Sequence, residues 1–248
     1  MSPTVVNLIY LIAGILFILG IKGLTKPSTA VRGNQLSSLG MLIAIVVTLL
    51  NAEVVNFTYI IAGGVFGAAV GAFMALRIQM TSMPQMVALL NGFGGGASLT
   101  IALAEYFSVL NVDASSFAEL LVPVALGSGA FGAGGEGQVT LISIGLTILI
   151  GAVTLVGSLV AFAKLQGLIK KNIGLPGGPA GNALLLLGAV IALGCLVISP
   201  NQAVTVITLV ALALLLGLFL VLPIGGADMP VVIALLNSYS GLAAALAG

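Results

Sequence analysis

Eight long apolar runs occupy most of this sequence, and they constrain its fold more than any other feature. A helix needs roughly 20 mostly apolar residues to cross the hydrocarbon core of a membrane. The runs are continuously apolar, without the alternation that is typical of a membrane β-barrel. They lie at about residues 4–21, 35–51, 54–76, 84–107, 138–163, 182–198, 201–222 and 229–248. We therefore predict an all-α, polytopic transmembrane helix bundle of about eight spans.

The composition indicates the same class. Only 5% of the residues are charged and 60% are hydrophobic, whereas a soluble domain has about 25% charged residues. We expect a lipid bilayer as the surrounding medium, and no basic cluster suggests a nucleic-acid partner. With one cysteine and no histidine, the chain offers neither a disulfide nor a thiolate metal site of its own. We expect no metal ligands and no catalytic or cofactor-binding residues in this segment.

The charged residues predict the orientation. The basic residues fall in three connections, which share one side if each span crosses once: Lys22, Lys26, Arg32, Arg77, Lys164, Lys170 and Lys171. The positive-inside rule makes that side cytoplasmic, so the N-terminus is expected outside and residues 108–137 form a non-crossing outer loop. Gly127–Gly132 in that loop fit G-x-G-x-x-G, but the strand, helix and acid of a nucleotide site are missing. The last apolar run has no polar flank, so residues 1–248 are expected to be a transmembrane fragment.

Two segments repeat one arrangement: "MPQMVALLNGFGG" at residues 83–95 and "MPVVIALLNSYSG" at residues 229–241. Each proline suits a first helical turn, and Ser82 and Asp228, two residues upstream, are good N-cap types. Asn91 and Asn237 follow the prolines by seven residues, or roughly 10 Å along a helix. Because an even number of crossings separates the two helices, they run the same way. This pattern indicates a parallel internal repeat.

The two asparagines have two interpretations. A single intramembrane asparagine is best explained as a hydrogen bond between helices, worth about 0.6–2 kcal/mol. A matched pair favours a polar pathway, because intramembrane polar groups usually face a bundle interior or a water-filled cavity. Thr154 and Ser158 share one face of the fifth span, but each can bond back to its own helix. The glycines around residues 63–71 and 92–96 predict either close helix contact or room for water.

Four segments carry a resemblance to a known family: "MTSMPQMVALLNGF", "GGADMPVVIALLNSYSG", "LVGSLVAF" and "GLTKPSTAVRGNQLSSLGMLIAI". They resemble the β subunit of proton-translocating NAD(P)+ transhydrogenase, over nearly the whole chain except the loop around residues 111–137. The resemblance implies a membrane domain that conducts protons beside Asn91, Ser158 and Asn237. It implies a coupling role for Asp228, the one acid on the cytoplasmic side.

The resemblance also implies cofactors and partners. NAD(H) and NADP(H) would bind elsewhere in the complete enzyme, and this segment would hold no cofactor. The partners would be the α subunit's membrane helices and NAD(H)-binding domain, and the NADP(H)-binding domain of the same full chain. A homodimer of αβ units in the bacterial inner membrane is expected.

One position departs from the family pattern. Many members carry a histidine at the position of Asn91, and an amide cannot carry a proton near neutral pH. We expect either a histidine from a partner α-chain helix near Asn91 or a water chain ordered by the two asparagines. The alternative function is a self-contained secondary transporter for an ion or small solute, using the same repeat. A purely structural membrane anchor is disfavoured by the paired asparagines and the inner carboxylate.

Overall fold

A computed structural model describes residues 2–51, 57–109, 135–200 and 203–247, and eight long helices make up most of these residues. All eight are long and apolar enough to cross a membrane, and no strand occurs among the described residues. They are α1 (Pro3–Leu24), α2 (Pro27–Asn51), α3 (Phe57–Arg77), α4 (Met83–Val109), α5 (Gly135–Leu165), α6 (Pro179–Ile198), α7 (Ala203–Val221) and α8 (Met229–Ala247). The prediction of an all-α bundle of eight spans is confirmed.

Several helices begin earlier than the apolar runs that predicted them. α2 begins at Pro27 rather than near residue 35, and α6 begins at Pro179 rather than near residue 182. Hydropathy marks the part of a helix that suits lipid, whereas backbone hydrogen bonding continues into polar sequence outside it. The predicted outer loop lies mostly outside the described residues, as does its G-x-G-x-x-G segment, and both remain sequence predictions.

The chain divides into two compact units, Met1–Arg77 and Ile78–Gly248. In the first unit α1 and α2 pack closely at two glycines. A Cβ atom added to Gly33 would lie 2.6 Å from the carbonyl oxygen of Gly20. The side chains of Tyr10 and Thr48 join the same two helices by a 2.8 Å hydrogen bond. Small residues therefore allow this helix pair to approach closely.

Helix α3, in the same unit, buries none of its residues within this chain. A Cβ atom added to any of its glycines would meet nothing within 4 Å: Gly63, Gly64, Gly67 and Gly71. The small-residue spacing of α3 therefore makes no close contact within the described chain.

Helix α5 is the centre of the second unit and contacts α4, α6, α7 and α8. Its buried residues Ile148 and Val153 belong to one apolar core with Leu209 of α7 and Leu236 of α8. A Cβ atom added to Gly217 of α7 would lie 2.6 Å from the carbonyl oxygen of Val153. Lipid is as apolar as these side chains, so close packing holds the helices together rather than escape from water.

A single 3-10 turn precedes each helix of the repeated segments: Met80–Ser82 before α4 and Gly226–Asp228 before α8. Ser82 and Asp228 do stand immediately before the α-helices, but inside a helical turn. The extended residues that precede these turns are Gln79 and Gly225, and neither forms a side-chain capping bond. Such turns are common where helices begin. Asp228 therefore lies in a first helical turn, where a carboxylate interacts favourably with the helix dipole.

Candidate functional site

A buried polar contact joins α4 to α5 inside the second unit. The side-chain amide of Asn91 donates a hydrogen bond to Ser158 Oγ at 2.9 Å. Asn91 is 6% exposed and Ser158 is fully buried. The structure thus brings two of the predicted site residues into direct contact across a helix interface.

Glycines on α4 make this contact possible. A Cβ atom added to Gly92 would lie 3.3 Å from Ser158 Cβ, and one added to Gly95 would lie 2.8 Å from Thr154 Cβ. On the other side, a Cβ atom added to Gly151 of α5 would lie 2.9 Å from the carbonyl oxygen of Gly95. Because no side chain separates the two backbones, α5 comes close enough for Ser158 to reach Asn91. The sequence predicted either close helix contact or room for water at these glycines. Gly92 and Gly95 make close helix contacts.

Two buried oxygens of this interface have no hydrogen-bond partner among the described residues: Asn91 Oδ1 and Thr154 Oγ1. Thr154 is fully buried, one turn from Ser158 on the same face of α5. From the sequence, Thr154 was expected to bond back to its own helix, as a membrane threonine ordinarily does. Its four-residue spacing from Ser158, which places both hydroxyls on one face of α5, was the only sign of a role at this contact.

Asn237 has a different environment from Asn91. It is exposed on α8 in this chain, whereas the buried stripe of α8 consists of Met229, Ile233, Leu236 and Ala243. The two helices do meet near Asn237, since a Cβ atom added to Gly94 of α4 would lie 3.0 Å from Ser240 Oγ. Within this chain the structure therefore does not bring Asn237 to the contact between Asn91 and Ser158.

Asp228 is exposed at the start of α8, and a buried lysine holds the connection that leads to it. Lys164, in the last turn of α5, is 7% exposed. Its ammonium donates to Asn172 Oδ1 at 2.8 Å, to the carbonyl oxygen of Ile224 at 2.6 Å, and to that of Leu222. Three N–H donors thus meet three acceptors. Sequence reasoning used Lys164 only as a topological charge, because nothing in the sequence shows that the end of α7 lies within its reach.

A second polar contact lies at the same end of α5. The side-chain amide of Gln85, in the first turn of α4, donates to the carbonyl oxygen of Leu165 at 3.0 Å. Gln85 Oε1 in turn accepts a 2.9 Å bond from the side chain of Gln166. The bond from Gln85 satisfies a carbonyl that the end of a helix leaves unpaired, and the two bonds together fix the start of α4 against the end of α5.

The chemistry of the buried contact is limited to hydrogen bonding. An asparagine amide both donates and accepts, and a hydroxyl does the same, so together they can orient water or relay a hydrogen bond. Neither group titrates near neutral pH, and the sequence contains no histidine. The residues of this contact can therefore position a proton carrier but cannot act as one.

The fold and this contact define a polytopic α-helical membrane protein with a polar site buried between two spans. The family described as NAD(P) transhydrogenase beta subunit matches residues 6–248. The chain belongs to this family, as the resemblance of its repeated segments predicted.

Two curated relatives are named NAD(P) transhydrogenase subunit beta, one from Rhodospirillum rubrum and one from a named strain of that species. Each is 39% identical to this chain over 237 residues, which cover 95% of this chain and 47% of the relative. The chain thus spans about half the length of these relatives.

Proposed function

We propose that this chain is the membrane domain of a proton-translocating NAD(P)+ transhydrogenase. It conducts protons across the bacterial inner membrane while hydride passes between NAD(H) and NADP(H) in soluble domains. The observation that carries the proposal is the buried hydrogen bond between Asn91 and Ser158, in a chain of this family. A polar contact held between two spans is the arrangement expected where a pathway crosses a membrane.

Asn237 belongs to the same pathway in this proposal. An amide that faces hydrocarbon lacks hydrogen-bond partners, which makes its exposure in lipid unfavourable. Because Asn237 is exposed in this chain, its face is suited to contact with a helix of another subunit. We assign that place to the membrane helices of the α subunit, the partner that the family implies.

The proton carrier is the remaining requirement of the proposal. Coupling needs a group whose proton affinity changes, and neither Asn91 nor Ser158 supplies one. We assign this role to a histidine on a partner α-chain helix near Asn91. Asp228, exposed in the first turn before α8, is the residue through which the NADP(H)-binding domain of the full chain senses the pathway. The N-terminus is outside, and the complete enzyme is a homodimer of αβ units.

The test removes one hydroxyl from the full-length chain assembled with its α subunit in vesicles. We expect Ser158→Ala to lower proton translocation driven by hydride transfer from NADH to NADP+, measured with a pH-sensitive dye. Hydride exchange confined to the soluble domains should continue. Thr100→Val is the matched control, because Thr100 is exposed on α4 and bonds to the carbonyl oxygen of its own Gly96 at 3.0 Å. Unchanged translocation in Ser158→Ala would refute the pathway.

The alternative, a self-contained transporter, predicts ion or solute flux without nucleotides. The family match favours the transhydrogenase. Vesicles that contain the full enzyme would show nucleotide-independent flux under the alternative, and flux coupled to hydride transfer under the proposal.

A further inference from the structure

The hydroxyl of Thr154 is unusual among the helical threonines of this chain. Three others donate at 2.7 Å to the carbonyl oxygen four residues earlier: Thr48 to Ala44, Thr147 to Ser143 and Thr208 to Val204. Thr154 is fully buried, and its Oγ1 has no hydrogen-bond partner in the part of the chain that the structure describes. A buried hydroxyl without a partner is unfavourable by about 1–3 kcal/mol. The available helix carbonyl is nevertheless not used, so this hydroxyl is free for another ligand.

The second such oxygen belongs to Asn91, whose partner Ser158 lies one helical turn from Thr154 on α5. Ser158 accepts the hydrogen bond of the Asn91 amide nitrogen, and Asn91 Oδ1 is buried with no hydrogen-bond partner among the described residues. One turn further along each helix, Gly95 packs directly against Thr154. Four residues correspond to about 6 Å along a helix, and two hydrogen bonds of about 2.8 Å through one water oxygen cover a similar distance. The spacing between the two layers therefore suits a single bridging water.

We propose that Thr154 Oγ1 and Asn91 Oδ1 together bind one water molecule between α4 and α5. The asparagine oxygen accepts a hydrogen bond from the water, and the Thr154 hydroxyl donates to the water or accepts from it. A buried water that replaces missing protein partners in this way is a regular part of protein structure. The bound water extends the series of hydrogen-bonding groups from Ser158 through Asn91 to Thr154. Thr154 is therefore a positioning residue of the pathway. This role in the pathway rests on the proposed function, whereas the water site itself does not.

The experiment compares two buried threonines of the same helix in the full-length chain assembled with its α subunit. Valine has the shape of threonine without its hydroxyl. We expect Thr154→Val to lower coupled proton translocation about fivefold to tenfold, as loss of one hydrogen bond of the pathway would. Thr154→Ser, which keeps a hydroxyl, should retain most of the coupled proton translocation. Thr147→Val should leave it unchanged, because the Thr147 hydroxyl is already bonded to Ser143.

A spectroscopic measurement tests the water directly. Infrared difference spectra recorded in H₂¹⁶O and H₂¹⁸O should show an isotope-sensitive O–H band of a buried water in the native enzyme and in Thr147→Val. The band should be absent in Thr154→Val and shifted in Asn91→Leu. A purely structural role of Thr154 would not remove this band.

The outcomes separate the inference from the proposed function. If Thr154→Val keeps both the band and full translocation while Ser158→Ala stops translocation, the water site is refuted and the pathway stands. If neither Ser158→Ala nor Thr154→Val changes translocation, the pathway is refuted, and the infrared band alone decides the water site. Loss of the band and of coupling in Thr154→Val, with both kept in Thr147→Val, supports the inference.

Discussion

Gly95 is the position where a single added methyl group should most clearly disturb the interface between α4 and α5. In Gly95→Ala the new Cβ atom would lie 2.8 Å from Thr154 Cβ and 2.9 Å from both the Gly151 oxygen and the Leu155 nitrogen. Two of these three atoms are backbone, so α5 itself must move away. Overpacking of this kind lowers stability by about 1–3 kcal/mol. The helix propensity gained from alanine offsets at most about 1 kcal/mol of that.

We therefore expect Gly95→Ala to lower the free energy of unfolding by up to about 2 kcal/mol net, and to leave it about 1–3 kcal/mol below that of Gly96→Ala, which gains the same helix propensity. The measurement is equilibrium unfolding in mixed micelles, followed by loss of helical circular dichroism. Gly96→Ala is the control on the same helix, because its Cβ atom would approach only the flexible end of Leu155, at 3.3 Å. Gly71→Ala is a second control, since an added Cβ there meets nothing within 4 Å. Equal stability of Gly95→Ala and Gly96→Ala would refute the packing of α4 against α5 at Gly95.

Three further predictions concern the ends of the helices and the topology. Lys164→Met leaves three oxygens without their cationic donor and should lower the free energy of unfolding by about 2–5 kcal/mol. Lys170→Met replaces an exposed lysine and should change the free energy of unfolding little. Similar free energies of unfolding for both variants would contradict the role of Lys164. Asp228→Asn keeps a similar shape and removes the charge from the 3-10 turn before α8, so the variant should fold and insert normally while coupled transhydrogenation falls sharply. If coupling were normal, the only remaining role of Asp228 would be its favourable interaction with the helix dipole, worth about 0.3–1 kcal/mol. Single cysteines at positions 125 and 168, in a background without Cys195, should react with impermeant reagents from opposite sides of the membrane. Labelling of both from one side would rule out an outer loop at residues 108–137.

The number and approximate place of the spans could be read from the sequence, because the length and apolarity of each run decide whether a helix suits lipid. The residues at which the helices begin could not be read from the sequence. Pro27 and Pro179 begin α2 and α6 in polar sequence, which hydropathy does not count as part of a span. The 3-10 turns before α4 and α8 were also missed, since the sequence shows a capping residue without its backbone conformation.

The candidate site shows the same division. The motif "ALLN" occurs in both copies of the repeat, and it marked Asn91 and Asn237 as equivalent. The structure buries Asn91 against Ser158 and leaves Asn237 exposed in this chain. Local sequence places an amide on a helix, but its surroundings depend on which neighbouring helix packs against that face.

Length and hydropathy were thus enough to predict the class of protein and its spans, and the repeated motifs were enough to predict its family. Which polar groups find partners depends instead on how the helices pack. Thr147 and Thr154 are both buried on α5, yet Thr147 bonds to its own helix, whereas Thr154 packs against Gly95 and has no hydrogen-bond partner within the described ranges. Lys164 finds two of its three acceptors just after α7, 58 and 60 residues along the chain. Hydropathy is a property of each segment alone, whereas hydrogen bonding between helices depends on differences of a few tenths of an ångström in the donor–acceptor distance, which packing sets.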